Sequence, residues 1–353
     1  MSTMPKPDST TQLQLPVTKP REPSFAEGNL GELPLFVLNR NDARPTLTKD
    51  LVRTVDLGVG ADGKSRRITV EAGASTGFPT MFGALVLQVI IERALEQGLT
   101  DGKVEITRHR IARRLGYRRP QASDLDRINK ACEKLAGVRF KLENTWWHRA
   151  PRTPAQTGGA TSTADRDAGQ LAPKGEEALA VMPHGRLREI EMGGLLDTVR
   201  LTASGGCYVT LGERLFESIK NRYIYPLGLD YLVALRSPVA QRIYMYLAKK
   251  DDTLQFVEYI KSFGRKVGLN KTAPSAILAA LGPALDRLKD EIEVHPPDGQ
   301  AERHRFLASW VHDKRSGNLT FVFFREKAPS TTRPDGRVWG EQLVQGILRR
   351  NSK

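Results

Sequence analysis

A seven-residue pattern occurs twice in this chain, and it constrains the fold more than any other feature. Residues 111–117 read IARRLGY and residues 263–269 read FGRKVGL, so hydrophobic, small, basic, basic, hydrophobic, Gly and hydrophobic residues follow one another in both. Gly commonly ends a helix, and a further helical stretch follows each copy, to about Leu135 and about Leu288. A short helix, a turn and a second helix form a helix-turn-helix unit. The sequence therefore predicts two such units, which points to DNA.

The composition favours an anionic polymer as partner. The 353 residues include 54 Lys and Arg against 40 Asp and Glu, a formal charge of +14. Cys132 and Cys207 are the two cysteines, too few for a disulfide framework or a Cys-based zinc site. No apolar run approaches the roughly 20 residues of a membrane span. We expect a soluble cytoplasmic protein with no metal, no cofactor and no membrane contact.

Periodicity and composition divide the chain into four parts. Residues 1–28, rich in Pro, Ser, Thr and Gln, are expected to form a disordered tail. Residues 29–222 form a first domain, in which the small and polar residues at about 151–175 indicate a mobile insertion. Residues 223–328 form a second domain, and residues 329–353 a loop and a terminal helix. A length of this size accommodates two ordinary domains.

Each domain shows the same predicted succession of elements. In the first, a hairpin over 52–71 leads into a helix from Thr80, then the first helix-turn-helix and a hairpin over 198–211. In the second, a helix from Pro238 precedes the second helix-turn-helix and a hairpin over 306–325. We expect Thr107 to cap the first short helix, and Ser123 with Asp126 to form a capping box on the helix after it. Helix, helix-turn-helix and β-hairpin, present twice, predict an α+β fold of two tandem winged-helix domains.

Four motifs carry a resemblance to a known family. They are the segment 30–39, GFPT at 77–80, the first helix-turn-helix, and YIYPL at 223–227 leading into the helix around Arg242. On these motifs, over roughly residues 30–325, the chain resembles the plasmid replication initiators of the replication initiator protein A type. More loosely, it resembles the wider group of two-winged-helix initiators that bind origin repeats.

The resemblance implies a non-enzymatic, plasmid-associated bacterial protein that binds repeated origin sites in double-stranded DNA. It implies origin opening with a host initiator and the replicative helicase, and control of plasmid copy number. It also implies repression of the protein's own gene as a dimer and initiation as a monomer, with the first winged helix as the dimer surface. A winged-helix transcriptional repressor without initiator activity would use the same folds and contacts.

The candidate DNA-binding residues of the first unit are basic side chains near the turn and on the second helix. An apolar stripe through Ile128, Cys132 and Leu135 predicts that the opposite face is free to meet phosphate, although an ordinary solvated face has the same pattern. The turn concentrates further positive charge against the DNA backbone. The candidates are Arg113, Arg114, Arg118, Arg119, Arg127, Lys130 and Lys134.

The second unit offers a different set, because its second helix has a well-spaced core face and no basic row opposite. Recognition helices usually read the major groove with their N-terminal residues, so the polar start of this helix is the better candidate for base contact, with a plain capping turn as the alternative. The tip of the last hairpin is suited to a phosphate or minor-groove contact, or is a solvated turn. The candidates are Arg265, Lys266, Asn270, Lys271, Thr272, Ser275, Arg287, Lys314 and Arg315.

Two enzymatic interpretations compete with DNA binding. Residues 58–65 read GVGADGKS and fit the phosphate-binding pattern G-x-x-x-x-G-K-[ST], with Gly63, Lys64 and Ser65 as the residues of a P-loop NTPase. That loop must lead into a helix, yet Ile68, Thr69 and Val70 favour a strand, so a hairpin turn explains it better. A nicking initiator needs a His-hydrophobe-His pair, and the six His residues never occur in that spacing. We expect the tyrosines at 223, 225, 231, 244 and 246 to be core residues rather than nucleophiles.

Overall fold

The structure is a computed structural model that describes residues 17–18, 24–38, 51–59, 64–144, 190–221, 223–250, 253–296 and 300–324. The first elements along the chain are β1 (Val17–Thr18), β2 (Ser24–Glu27), α1 (Gly28–Glu32), β3 (Val52–Val59), β4 (Ser65–Glu71), α2 (Met81–Glu96), β5 (Lys103–Thr107), α3 (Arg108–Arg114), α4 (Ala122–Gly137), β6 (Arg139–Glu143), β7 (Ile190–Gly194), β8 (Leu196–Leu201), β9 (Gly206–Leu211) and α5 (Glu213–Lys220). Then follow β10 (Ile224–Leu227), α6 (Leu229–Ala234), α7 (Pro238–Ala248), β11 (Gln255–Tyr259), α8 (Ile260–Val267), α9 (Pro274–Lys289), β12 (Ile292–Val294), β13 (Glu302–His304), β14 (Leu307–Asp313) and β15 (Asn318–Phe323).

Two groups of these elements have the same topology. Unit 1 consists of α2, β5, α3, α4 and the hairpin β8–β9, and its sheet has the order β5–β9–β8. Unit 2 consists of α7, β11, α8, α9 and the hairpin β14–β15, and its sheet has the order β11–β15–β14. In both, the last strand lies between the other two, which makes the hairpin the wing of a winged helix. The predicted α+β fold of two tandem winged-helix domains is confirmed.

The repeated motif owes its shape to its glycines. Gly116 has φ +86° and Gly268 has φ +91°, a left-handed conformation that other residues rarely adopt, so each short helix ends within the two residues before its glycine. Thr107 caps α3 as predicted, because its Oγ1 accepts a hydrogen bond of 3.1 Å from the Arg110 amide. The predicted capping box of α4 is wrong by two residues. The Gln121 side chain caps the helix and Asp124 reaches back to the Gln121 amide, so α4 begins earlier than expected.

Both units carry an insertion between the recognition helix and the wing. In unit 1, β6 and β7 leave the winged helix and join the predicted hairpin β3–β4 in a separate antiparallel sheet of order β3–β4–β6–β7. In unit 2, β12 and β13 form the corresponding insertion, with β1 parallel to β13. The wing hairpins predicted at 198–211 and 306–325 are confirmed.

Residues 24–38, here called the linking segment, run between the two units, and residues 26–37 are buried except for the half-buried Glu32. The strand β2 pairs antiparallel with β10, and α1 packs against α7. The expected disordered tail over 1–28 is therefore wrong for residues 24–28, because the Glu27 side chain is fully buried between α1 and Ser218 and the backbone there is paired. Most of the tail, the insertion at 151–175 and the terminal helix lie outside the described residues.

One buried polar side chain of each unit fastens the linking segment. In unit 1, the Gln88 amide on α2 donates to the carbonyl oxygen of Phe25. In unit 2, the fully buried Arg242 on α7 donates to the carbonyls of Leu30 (2.9 Å) and Gly31 (3.0 Å), and also to the Lys266 carbonyl (3.0 Å). Burial lowers the pKa of Arg242 to about 10. These carbonyls lie at the C-terminal ends of α1 and α8, where helix dipoles favour a cation.

An ion-pair cluster adds to this attachment. Glu32 at the end of α1 lies 3.0 Å from the Lys249 ammonium and 3.2 Å from that of Lys250. Burial would raise the pKa of Glu32, but the two lysines outweigh it and hold the pKa at about 2. The charged form of Glu32 therefore ties the linking segment to unit 2. Within the described residues, no helix is long and apolar enough to cross a membrane.

Candidate nucleic-acid interface

The recognition helix of unit 1, α4, has the two faces that its sequence predicts. Ile128, Cys132 and Leu135 are fully buried. Arg127 and Lys130 project from the opposite side into solvent. A basic row on the exposed face of a recognition helix is suited to phosphate contact.

Arg127 is held in a fixed position by two aromatic residues. Its guanidinium carbon lies 3.8 Å from the centre of the Phe82 ring, and its Nη1 donates to the Tyr117 hydroxyl at 3.1 Å. Both contacts restrict the side chain, so less conformational entropy is lost when Arg127 binds an anion. Lys134, one turn beyond Lys130, is half-buried, and burial lowers its pKa.

The turn of unit 1 separates its arginines into two kinds. Arg113, Arg118 and Arg119 are exposed, as a DNA contact requires. Arg114 has partners within the protein, because its guanidinium donates to both oxygens of Glu92 on α2 (2.8 and 3.1 Å) and to Asp230 on α6. Burial alone would lower the pKa of Arg114, yet the two carboxylates raise it. The DNA-binding role of Arg114 stays a prediction, and in the structure this side chain joins unit 1 to the second half of the chain.

The recognition helix of unit 2, α9, exposes a neutral face. Ala279 and Pro283 are exposed, and a Cβ at Gly282 would meet no atom within 4 Å. The predicted absence of a basic row on this helix is therefore confirmed. The polar residues at and before its start are all exposed: Asn270, Lys271, Thr272 and Ser275.

The two basic residues of the second repeated motif also differ. Arg265 is exposed. Lys266 bonds to the Glu258 carboxylate and, at 3.2 Å, to the Tyr246 hydroxyl. Glu258 thus neutralises the charge and fixes the side chain, and the DNA contact of Lys266 stays a prediction.

The wing of unit 2 has a cationic tip. Lys314 and Arg315 are exposed in the turn, whose shape is fixed by Asp313 accepting from the Arg315 amide (3.0 Å) and the Ser316 hydroxyl (2.9 Å). Burial lowers the pKa of the neighbouring His312, which favours its neutral form. The wing tip therefore offers two positive charges on a rigid turn.

The wing of unit 1 has no charge at its tip, where the residues at 202–205 are Thr, Ala, Ser and Gly. It is attached to the recognition part of the unit by Arg108, whose Nη2 donates to the Thr202 carbonyl at 2.9 Å. The Gly205 carbonyl in turn accepts a hydrogen bond from the Arg108 amide at 3.1 Å. This wing is therefore fixed to α3, and the residues of its own turn carry no charge.

A cleft of about 1810 Å³ separates the two units. Eight Arg or Lys side chains line it: Arg113, Arg114, Arg118, Arg127, Lys130, Lys134, Arg236 and Arg287. Sequence reasoning missed Arg236, which precedes the start of α7 and stands in no basic cluster. The structure thus brings six of the seven candidates of unit 1 together with Arg287 of α9. Five other basic candidates lie outside this cleft: Arg119, Arg265, Lys271, Lys314 and Arg315.

The enzymatic alternatives find no support in the described residues. Gly58 and Val59 end β3 and Ser65 begins β4, so Lys64 and Ser65 precede a strand and not the helix that a P-loop requires. The hairpin interpretation is confirmed, and Gly63 lies outside the described residues. Tyr225, Tyr231, Tyr244 and Tyr246 are buried, Tyr223 is half-buried, and burial raises the pKa of the Tyr223 hydroxyl. No group of three or more potential metal ligands occurs among the residues that the structure describes.

No family model matches the chain, and no curated protein matches it. A crystal structure of selenomethionine derivatives of RctB domains 2 and 3 is similar over 83% of this chain and 99% of that chain, with 12% identity and a TM-score of 0.45. A second crystal structure of RctB domains 2 and 3 is similar over 80% of this chain and 95% of that chain, with 13% identity and a TM-score of 0.40. A likeness at this level does not bear on function.

Proposed function

We propose that this chain binds repeated sites in double-stranded DNA through its two winged-helix units and initiates replication of a plasmid from those sites. The observation that carries the proposal is the duplication itself. Two units of identical topology occur in one chain, and Arg114, Asp230 and the linking segment fasten them together. Two DNA-binding units that are joined match a repeated DNA site better than a single unit does.

The two units supply different kinds of contact in this proposal. Arg113, Arg127 and Lys130 of unit 1 contact phosphates, which gives affinity without sequence preference. The exposed residues at the start of α9, Asn270, Lys271 and Ser275, read base edges. Lys314 and Arg315 of the second wing contact the backbone or the minor groove beside them.

The role as an initiator, rather than as a repressor, comes from the motif resemblance described above. That resemblance implies origin opening with host proteins, an equilibrium between monomer and dimer, and repression of the protein's own gene. A repressor without initiator activity would make the same DNA contacts. Duplex unwinding at the bound site separates the two functions, because only an initiator opens it.

The first test is footprinting of the full chain on the DNA that flanks its own gene, with excess nonspecific competitor and at two salt concentrations. We expect protection of evenly spaced repeats. Permanganate reactivity of unpaired thymines beside the repeats then reports opening. Diffuse protection that disappears at higher salt would contradict sequence-specific binding. Protection without duplex opening would contradict the initiator function and favour a repressor.

Variants connect the footprint to the interface. Replacing Arg127 and Lys130 by Ala should weaken duplex binding at all sequences and lower the slope of log K against log salt concentration by about 0.9 for each phosphate that the variant no longer neutralises. The matched control replaces Lys103 and Lys220, which are exposed cations outside the cleft, and removes the same charge. Equal reductions in both variants would show that the net charge, and not α4, attracts DNA.

A further inference from the structure

The cleft between the units has a composition that duplex binding does not explain. Its three carboxylates are outnumbered by the eight Arg and Lys side chains, and two of the three are paired within the protein: Asp230 with Arg114, and Glu291 with Arg305 at 2.8 Å. They therefore do not neutralise the basic row on α4. The cleft keeps a net positive charge on both of its walls, from Lys130 on one side and Arg236 on the other.

Apolar side chains lie between these cations. The half-buried Leu38 and Phe82 line the cleft on the side of unit 1, and the half-buried Val233 and Ala234 on the other side. A duplex exposes phosphates on its outside and keeps its base faces stacked, so these apolar surfaces would have nothing to cover. An unpaired strand exposes phosphates and base faces together.

The volume also favours a polymer. Small-molecule sites occupy roughly 300–1,000 Å³, and this cleft, at about 1810 Å³, is larger. Arg127 adds a stacking surface, because Phe82 and Tyr117 hold its guanidinium and planar guanidinium groups stack on unpaired bases. The ion pair of Arg114 with Asp230 lies in the same cleft and joins its two walls.

We propose that the cleft between unit 1 and unit 2 binds a single-stranded polynucleotide, with Lys130 and Arg236 on its phosphates and Phe82 and Arg127 against its bases. The inference rests on the proposed function, since a protein that opens a duplex produces single strands at its own binding site. Arg127 and Lys130 then contact the single strand in place of the duplex phosphates. The strand is a DNA or an RNA, which share the phosphate and base-face chemistry that the cleft recognises.

The test measures fluorescence anisotropy of labelled oligonucleotides with the full chain. The probes are 12-nucleotide oligothymidylate, 12-nucleotide oligouridylate and a duplex from the DNA flanking the gene, each titrated over a series of salt concentrations. The length of about 12 nucleotides lies within the usual span of single-strand binding sites. We expect both single strands to bind, and the tighter of the two identifies the strand as DNA or RNA.

The deciding variant removes one cation from each wall, K130A together with R236N. Arg236 has φ +56°, a conformation that Asn tolerates, so the backbone is preserved. Affinity for the single strand should fall at least about tenfold, and its salt slope should decrease by about 1.4, because two phosphates are no longer neutralised. The control K103A with K220A should change affinity less than about twofold. A second variant, F82L, should weaken single-strand binding and leave the salt slope unchanged.

The outcomes separate this inference from the proposed function. A chain that gives the footprint but binds neither single strand contradicts single-strand binding by the cleft and leaves the proposed duplex recognition in place. A chain that binds single strands through Lys130 and Arg236 but gives no footprint overturns the proposed function and retains the cleft. Equal reductions of affinity in the cleft and control variants overturn the inference, because they show that the net charge, and not the cleft, attracts the single strand. Urea unfolding of each variant shows that its fold is intact.

Discussion

The two winged-helix units have the same topology and opposite distributions of charge. Unit 1 has a basic row on its recognition helix and a neutral wing tip. Unit 2 has a neutral recognition helix, with Ala279 and Pro283 exposed, and a cationic wing tip with Lys314 and Arg315. The comparison teaches that a shared fold fixes where a contact can be made, while a few exposed side chains decide which contact it is.

The same contrast holds inside the protein. Each unit fastens the linking segment with one buried polar side chain on its first helix, Gln88 in unit 1 and Arg242 in unit 2. Gln88 makes one hydrogen bond to that segment, whereas Arg242 makes two and adds a third to α8. Unit 2 is therefore expected to be the stronger point of attachment.

Replacing Arg242 should produce the largest effect. Arg242→Met leaves the buried carbonyls of Leu30 and Gly31 and the partly buried carbonyl of Lys266 without their donor. Each unpaired buried group costs about 1–3 kcal/mol, so we expect a decrease of at least about 2 kcal/mol in the free energy of unfolding. Gln88→Leu, the matched change in unit 1, leaves one carbonyl and should cost about 1–2 kcal/mol. Urea unfolding followed by circular dichroism measures both. Equal decreases would show that the two attachments do not differ.

The neighbouring residues Arg113 and Arg114 should respond in opposite ways. Arg114→Met leaves Glu92 and Asp230 unpaired in a site where all three side chains are less than one fifth exposed, and we expect the free energy of unfolding to fall by about 2–3 kcal/mol. The exposed Arg113→Ala should change stability by less than about 0.5 kcal/mol.

DNA binding should show the reverse order for this pair. Arg113→Ala should lower the salt slope of duplex binding by about 0.9, and Arg114→Met should leave that slope unchanged. Titrations well below the unfolding temperature measure both slopes. A lower slope for Arg114→Met would return this residue to the DNA interface.

The wing tips allow a direct comparison of DNA contact between the two units. Replacing Lys314 and Arg315 by Ser should lower the salt slope of duplex binding by up to about 1.8, whereas Ser204→Ala at the tip of the first wing should change nothing measurable. Anisotropy titrations on the footprinted duplex report both. Ser204→Lys tests whether the first wing approaches DNA, since a cation added near a phosphate raises the affinity for the duplex. A gain there would show that the first wing lies on the duplex despite its neutral tip.

Much of the local structure could be predicted from the sequence, because it depends on neighbours in the chain. The periodicity of α4 predicts which face is buried, and Thr107 and Gly116 mark where α3 begins and ends. The capping box of α4 is misplaced by two residues, since Gln121 and Ser123 both precede an acidic residue three positions later. The structured start of the linking segment has no local signal, because the buried role of Glu27 depends on Ser218, 191 residues away.

The sequence by itself determined that this protein has two helix-turn-helix units with wings, because helix periodicity, glycines with positive φ and alternating strands are local properties. Only the tertiary structure decided which basic residues remain available to a partner. Arg113 and Arg114 are identical in type and adjacent in the chain, and they differ because Asp230, 116 residues further on, lies against Arg114. The cleft likewise exists only once the chain brings α4 and Arg236 to face one another, since an ion pair or a groove depends on distances in space that no single stretch of sequence contains.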